Sequence, residues 1–218
     1  MPRTDAPPSQ LPRGRHGYTR VAVAAAQRER LLDAVAEAVA AEGYATATVS
    51  DVVSIAAVSR RTFYEQFSDL ESCFLAAYQA GMETLLEEIR AAVRLLHPEA
   101  PWRDRVAVSL EAYLEALAAR PAAAWAFSIE SLGAGRKVLA KRRGVLERWV
   151  RQWRELQALA RHQEPSLPEL GDDQLLLLVG GIEELVRDCL RARGAHHLPE
   201  LADRLTEIVL YTLTGGGR

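Results

Sequence analysis

Arg60, Arg61 and Thr62 follow directly on Ser59, a residue type suited to capping a helix, so two guanidinium groups and a hydroxyl crowd the first turn of one short element. A guanidinium can donate two hydrogen bonds together to O6 and N7 of guanine, and a threonine can meet a thymine methyl or donate to a base or a phosphate. With Phe63 and Phe67 turned inward at i, i+4, the opposite face of such a helix presents Arg61 and Glu65, flanked by Thr62 and Tyr64. The chemistry on offer is recognition of double-stranded DNA.

Catalytic chemistry finds no comparable grouping. His16, His97, His162, His196 and His197 fall in expected loops or at helix ends, none beside a nucleophile. His196 and His197 are adjacent and lack a third ligand, so no metal and no cofactor is expected. Glu183 and Glu184 diverge by about 100° on a helix and make no carboxylate dyad. Gly133-Ala134-Gly135 reads as a helix break rather than a phosphate cradle. An enzyme is not expected.

The elements that position Arg60 to Tyr64 are marked by consecutive start signals. Thr48-Val49-Ser50-Asp51 is a capping box, Val58 and Phe63 flank Ser59 at the spacing of a hydrophobic staple, and Ser68-Asp69-Leu70-Glu71 is a further box. Between the first two starts there is room for a short helix and a tight turn, which is helix-turn-helix spacing. Ahead of them a helix from about Thr19 carries Leu31 or Leu32, Val35 and Val39 on one face and stops at Gly43. Beyond them, helix four runs from near Asp69 to a break at His97-Pro98-Glu99-Ala100-Pro101. The pattern then predicts helices over Trp102–Ala119, Pro121 to about Leu132, Arg136–Gln163, Asp172–Arg193 and Leu198–Leu213. The expectation is an all-α fold of about nine helices. Its parts would be a basic disordered arm over 1–18, a helix-turn-helix DNA-binding domain over 19–68, a larger helical domain over 69–214 and a flexible tail over 215–218. The arm arginines Arg15 and Arg20 either enter a minor groove or stay solvated.

Composition agrees with a cytoplasmic protein. Apolar residues make up 49%, and the two cysteines, Cys73 and Cys189, lie far apart without metal-ligand spacing. The longest apolar run, Leu175 to Val179, is far short of the roughly 20 residues a membrane helix needs. The net charge is −2, and residues 1 to 70 balance eight Arg against eight Asp and Glu. Positive charge is therefore local rather than a broad footprint. The basic stretch Arg136 to Arg161 reads as a solvated helix face.

Residues 27 to 78 resemble the DNA-binding module of the TetR/AcrR family of transcription regulators. The resemblance is carried by Arg30-Leu31-Leu32-Asp33-Ala34, Glu42-Gly43-Tyr44, Thr48-Val49-Ser50-Asp51-Val52, Ala57-Val58-Ser59, Thr62-Phe63-Tyr64, Phe67, Glu71 and Cys73 to Tyr78. It implies that Thr48 and Tyr64 touch phosphate, which with Ser59, Arg60, Arg61 and Thr62 completes the candidate DNA-contacting set. It also implies a small-molecule cavity enclosed by helices four to seven. Tyr78, Met82, Tyr113, Trp125, Phe127, Trp149 and Trp153 either line that cavity or fill core at helical spacing. Two positions depart from the family pattern: Ala57 replaces a usual glycine in the turn, and Leu70 replaces a usual phosphate-binding lysine.

Helix eight is apolar almost all round from Leu175 to Ile182, and helix nine repeats Leu198, Leu201, Leu205, Ile208 or Val209, and Thr212 on one side. Two copies packing these helices across a two-fold axis would bury both stripes, with Gly180-Gly181 permitting close approach. The expected protein is a homodimeric repressor on a palindromic operator, released by a small-molecule effector. The alternative is a ligand-binding or interaction protein of this fold with weak or lost DNA binding.

Overall fold

The computed structural model describes residues 20–215, and the expected arm over 1–18 and residues 216–218 lie outside them. Helix α1 (Arg20–Glu42) ends where Gly43 adopts φ 80°, a left-handed conformation that costs glycine no Cβ clash, and the Gly43 N–H donates back to the Val39 carbonyl at 3.0 Å. Helix α2 (Val49–Ile55) opens on the expected box: the Asp51 N–H donates to Thr48 Oγ1 at 3.4 Å, and the Thr48 N–H donates to Asp51 Oδ2 at 2.8 Å. Helix α3 (Arg60–Gln66) follows, with Ser59 Oγ accepting from the Thr62 N–H at 3.0 Å.

Helix α4 (Leu70–Arg94) is capped one residue later than expected. Asp69 Oδ1 accepts from the Ser72 N–H at 2.7 Å and Ser72 Oγ accepts from the Asp69 N–H at 3.2 Å, so the box is Asp69 with Ser72. Glu71, freed from that role, pairs with Lys137 at 2.6 Å. Helices α5 (Trp102–Ala118), α6 (Pro121–Ser128), α7 (Arg136–Gln163) and α8 (Asp172–Ala192) fall close to their predicted spans. A 3-10 turn, Glu130–Leu132, takes the end assigned to helix six. The start assigned to helix nine is likewise 3-10, Ala195–Leu201, because Pro199 inside it has no N–H to donate; α9 proper is Ala202–Leu213. No strand occurs among the described residues.

Two large cores result. Leu31, Val35 and Val39 of α1 meet Val52, Phe63, Phe67 and the first turns of α4, Cys73 and Phe74; each buried side chain of this size contributes about 1.5–3 kcal/mol. Ala126 of α6 and Val138 of α7, both fully buried, are built into this same N-terminal core. The second core joins α5, α7, α8 and α9 through Trp102, Leu114, Trp153, Leu175, Leu205 and Val209, with Leu198 of the 3-10 segment between α8 and α9. This corrects the expected outer stripe of helix nine. Leu198, Leu205 and Val209 are fully buried within the chain, and the apolar side chains left outside are Leu176, Leu177, Ile208 and Tyr211. A smaller cluster of Tyr78, Met82, Leu85 and Ile89 continues α4 away from the N-terminal core.

Candidate DNA-binding face and ligand cavity

The α2–α3 turn passes through Ala57 at φ 51°, where an L side chain costs roughly 1–2 kcal/mol. Ala56 and Val58 anchor the turn from either side in the N-terminal core. Phe63 is wholly buried, its ring 5.8 Å from that of Phe67, and Arg28 lies over the Phe67 ring at 4.5 Å. Burial on that side turns the other side of α3 to solvent.

Arg61 is almost fully exposed and pairs only with Glu65 at 2.9 Å, a contact worth about 0.3–0.5 kcal/mol and easily exchanged for another acceptor. Tyr64 is also exposed, its ring edge-on to Phe63 at 5.4 Å. Arg60 donates to Ser50 Oγ at 2.5 Å and so ties the start of α3 to α2. Thr62 Oγ1 is 2.9 Å from Ser59 Oγ, which places both hydroxyls in the local cap. Thr48 is exposed and engaged with Asp51, whose carboxyl is held below its ordinary range first by the Thr48 side-chain hydrogen bond and then by the Thr48 backbone. Thr48, Ser59, Arg60, Arg61 and Tyr64 are thus exposed, and Thr62 half-buried, on α2, α3 and their caps. Leu70 does not join them; its side chain packs against the N-terminal core.

The other half of the molecule is hollow. A cavity of about 410 Å³ lies between α4, α5, α7 and α8, walled mainly by aliphatic side chains such as Leu86, Ile89, Leu110, Leu156, Val179 and Ile182. Of the expected lining residues it holds Tyr113, Trp149 and Trp153. A smaller space of about 70 Å³ beside it takes Tyr78, Met82 and Phe127, and Tyr113, Trp149 and Glu183 border both. Two corrections follow. Trp125 borders neither space, because its indole N–H is turned to Glu130 Oε1 at 3.3 Å. The walls also include α8 and are not confined to helices four to seven.

Sequence reasoning missed the polar contacts made over long range. Glu130 accepts from the Tyr44 N–H at 3.0 Å as well as from Trp125, joining the 3-10 turn after α6 to the end of α1. Glu183 is ion-paired with both Arg142 and Arg187, the latter at 3.1 Å, inside the C-terminal half. Only the Glu183–Arg187 i, i+4 spacing was visible beforehand.

A three-helix unit with an outward-facing helix α3, joined to a helical body that holds a cavity, has helix-turn-helix architecture. Residues 31–77 match the family model described as bacterial regulatory proteins, tetR family. The fold is similar to that of the fatty acid degradation regulator FadR from Bacillus halodurans, at TM-score 0.75 and 19% identity over 84% of this chain and 94% of that one. It is similar also to the transcriptional regulator FadR from Bacillus subtilis in complex with stearoyl-CoA, at TM-score 0.74 and 18% identity over 87% of this chain and 99% of that one. A TetR transcriptional regulator from Chloroflexus aurantiacus J-10-FL gives TM-score 0.64 and 21% identity over 86% and 96% of the two chains. No curated protein matches the sequence. Residues 31–77 therefore carry the sequence pattern of the tetR-family DNA-binding module, and the chain as a whole shares the all-α fold of these solved regulators. Among the described residues no cluster of three or more metal-ligating side chains occurs, and no helix is long and apolar enough to cross a membrane.

Proposed function

We propose that this protein is a homodimeric repressor that binds a palindromic operator through α3 and leaves it when a mostly apolar small molecule enters the α4–α8 cavity. The observation that carries this reading is the placement of α4. Its first turns, with Cys73 and Phe74, are part of the core that fixes α3, and its later turns, with Tyr78, Met82, Leu86 and Ile89, border the two spaces. A ligand that favours one position of α4 therefore favours one position of α3. Such a ligand shifts DNA affinity only by preferring the conformation in which the paired recognition helices are wrongly spaced, and coupling of about 1–3 kcal/mol corresponds to a 5- to 150-fold loss.

In this reading residues 19–68 form the DNA-binding domain and residues 69–214 the ligand-binding and dimerisation domain. Arg61 reads a base, Arg60 and Thr62 approach bases or phosphates from the helix entrance, and Thr48, Ser59 and Tyr64 face the backbone. Leu176 and Leu177 on α8 with Ile208 and Tyr211 on α9 supply the dimer face, and no side chain would obstruct a partner at Gly180 and Gly181. The aliphatic walls suit an apolar ligand, and the B. subtilis regulator of the same fold was solved with stearoyl-CoA. The test is fluorescence anisotropy of DNA from the region upstream of the protein's own gene, with light scattering alongside. We expect a dimer at micromolar concentration that binds this DNA and lets go as an apolar ligand quenches Trp149 and Trp153. Ligand binding that leaves operator affinity unchanged would defeat the regulatory mechanism.

The strained Ala57 and the core-facing Leu70 favour a second reading, a ligand-binding protein of this fold with weakened DNA affinity. A gel shift on the same upstream DNA separates the two: no retarded band at any protein concentration selects the second.

A further inference from the structure

Three polar atoms on residues that line the smaller space, the Tyr78 and Tyr113 hydroxyls and Glu183 Oε1, make no hydrogen bond among the described residues. Tyr78 is almost fully buried, its ring edge-on to Phe127 at 5.2 Å, and Tyr113 stands edge-on to Trp149 at 5.6 Å. Among the described residues neither phenol hydroxyl makes a hydrogen bond. Glu183 uses only Oε2 for its contacts with Arg142 and Arg187, which leaves Oε1 unengaged. These groups are not sealed off; the polar side-chain atoms that are buried without a partner belong to Trp102, Gln157 and Arg161. Open to the space and free of hydrogen-bond partners among the described residues, these two donors and one acceptor beside mostly apolar walls offer a ligand a few placed polar contacts.

The charges around the cavity indicate what that ligand is. Arg142 and Arg187 already donate to Glu183, and Arg187 donates also to Glu184. In the smaller space Arg120 is committed to Glu88. At the far end of the larger space Arg94 pairs with Glu87, and Arg105 holds the carbonyls of the α4–α5 turn, Pro98 at 2.7 Å. Arg90 reaches Gln152. An anionic head in the smaller space would thus find Arg120, Arg142 and Arg187 committed to carboxylates and, beside them, a carboxylate oxygen. Burial first, and the Glu183 carboxylate after it, raise the proton affinity of both phenols, so Tyr78 and Tyr113 stay neutral donors at physiological pH.

We propose that Tyr78, Tyr113 and Glu183 form a polar subsite for an uncharged, mostly apolar molecule bearing a hydroxyl group. The ligand O–H donates to Glu183 Oε1, its oxygen accepts from the phenol hydroxyls, and its hydrocarbon body lies along the aliphatic walls. This rests on the reading of the cavity as a ligand site and adds the chemistry of its occupant.

The experiment titrates the full chain with 1-decanol, decanoate and decyltrimethylammonium at neutral pH, read by tryptophan fluorescence and by protection against thermal unfolding. Binding of 1-decanol at least about tenfold tighter than decanoate is expected, with Tyr78→Phe and Tyr113→Phe each weakening 1-decanol roughly 2- to 10-fold. Glu183→Gln should narrow the gap between 1-decanol and decanoate. Because that change also strips a partner from Arg142 and Arg187, the two Tyr→Phe variants decide the matter if it fails to fold. Decanoate or the ammonium probe binding as tightly as 1-decanol overturns the subsite and leaves the cavity reading standing, as does undiminished 1-decanol binding by both Tyr→Phe variants. If no probe changes fluorescence or stability, the cavity reading itself falls, and the subsite with it.

Discussion

The two halves of this chain solve opposite packing problems. In the N-terminal module Leu31, Val35, Val39, Val52, Phe63 and Phe74 are fully buried in one core, and none of them borders either space. The C-terminal half buries as many side chains yet keeps about 410 Å³ open between α4, α5, α7 and α8. A close-packed unit moves as one piece, whereas walls with space beside them can rearrange when the space is filled. In the proposed function, transmission falls to the module and sensing to the hollow half.

The sharpest way to break that contrast is to delete side-chain volume on each side. Phe63→Ala should cost about 3–5 kcal/mol, whereas Ile89→Ala, whose lost contacts already border a void, should cost no more than about 2 kcal/mol. Urea unfolding monitored by circular dichroism measures both, and equal losses would sink the idea that the halves differ in packing. Next in size is Arg61→Ala. Operator affinity should drop by roughly 1–3 kcal/mol with relaxed preference at one base pair, while stability hardly moves because only the exposed Glu65 pair is lost. Tyr64→Phe should instead weaken all sequences alike, and a binding-site selection experiment reads the difference.

Smaller again is Ala57→Gly. Relief of about 1–2 kcal/mol of strain, offset by roughly 0.4–1 kcal/mol of added unfolded-state freedom, should leave a gain of up to about 1.6 kcal/mol in unfolding free energy, read from urea titration. The smallest effect concerns acid. Hydrogen bonds from the Ser72 backbone, then its side chain, hold the Asp69 carboxyl below its ordinary value of 3.8, as those from Thr48 do for Asp51. A folded-state pKa lower than the unfolded one gives stability that is full above about pH 4 and is lost as pH falls through the depressed value. Asp69→Asn, which can still cap α4, should therefore melt slightly below the parent protein at pH 7 and level with it in strong acid. Melting curves across pH that stayed parallel would count against this account of the cap.

Legibility from sequence followed the range of the interaction involved. Local signals read well: Thr48 with Asp51, Ser59 with Thr62, and Gly43 as the end of α1 all involve residues within four positions, and their geometry is set by backbone dihedrals. The cap of α4 slipped by one because Ser68 and Asp69 are both good caps and only the turn out of α3 selects between them. Pro199 was visible, but its consequence, a 3-10 start before α9, depended on burying Leu198 against α5 and α8. The cavity was least legible. Leu86, Ile89, Leu110 and Val179 have the spacing of core residues, and whether the space before them is filled depends on three other helices. Trp125 shows the same limit, since a glutamate on the following 3-10 turn, not the cavity, claims its indole.

Ala126 and Val138 sit in the N-terminal core although they belong to α6 and α7, and Glu130 between them accepts from Tyr44. On the ribosome the helix-turn-helix unit is therefore complete in sequence by Tyr78 but lacks part of its own core for roughly 60 more residues, a wait of about 3–12 s at common elongation rates. Throughout that interval the nascent unit exposes the apolar patch that α6 and α7 later cover. A chimera that grafts another regulator's body onto this module would carry the same patch into its finished state unless its own sixth and seventh helices supplied matching small side chains.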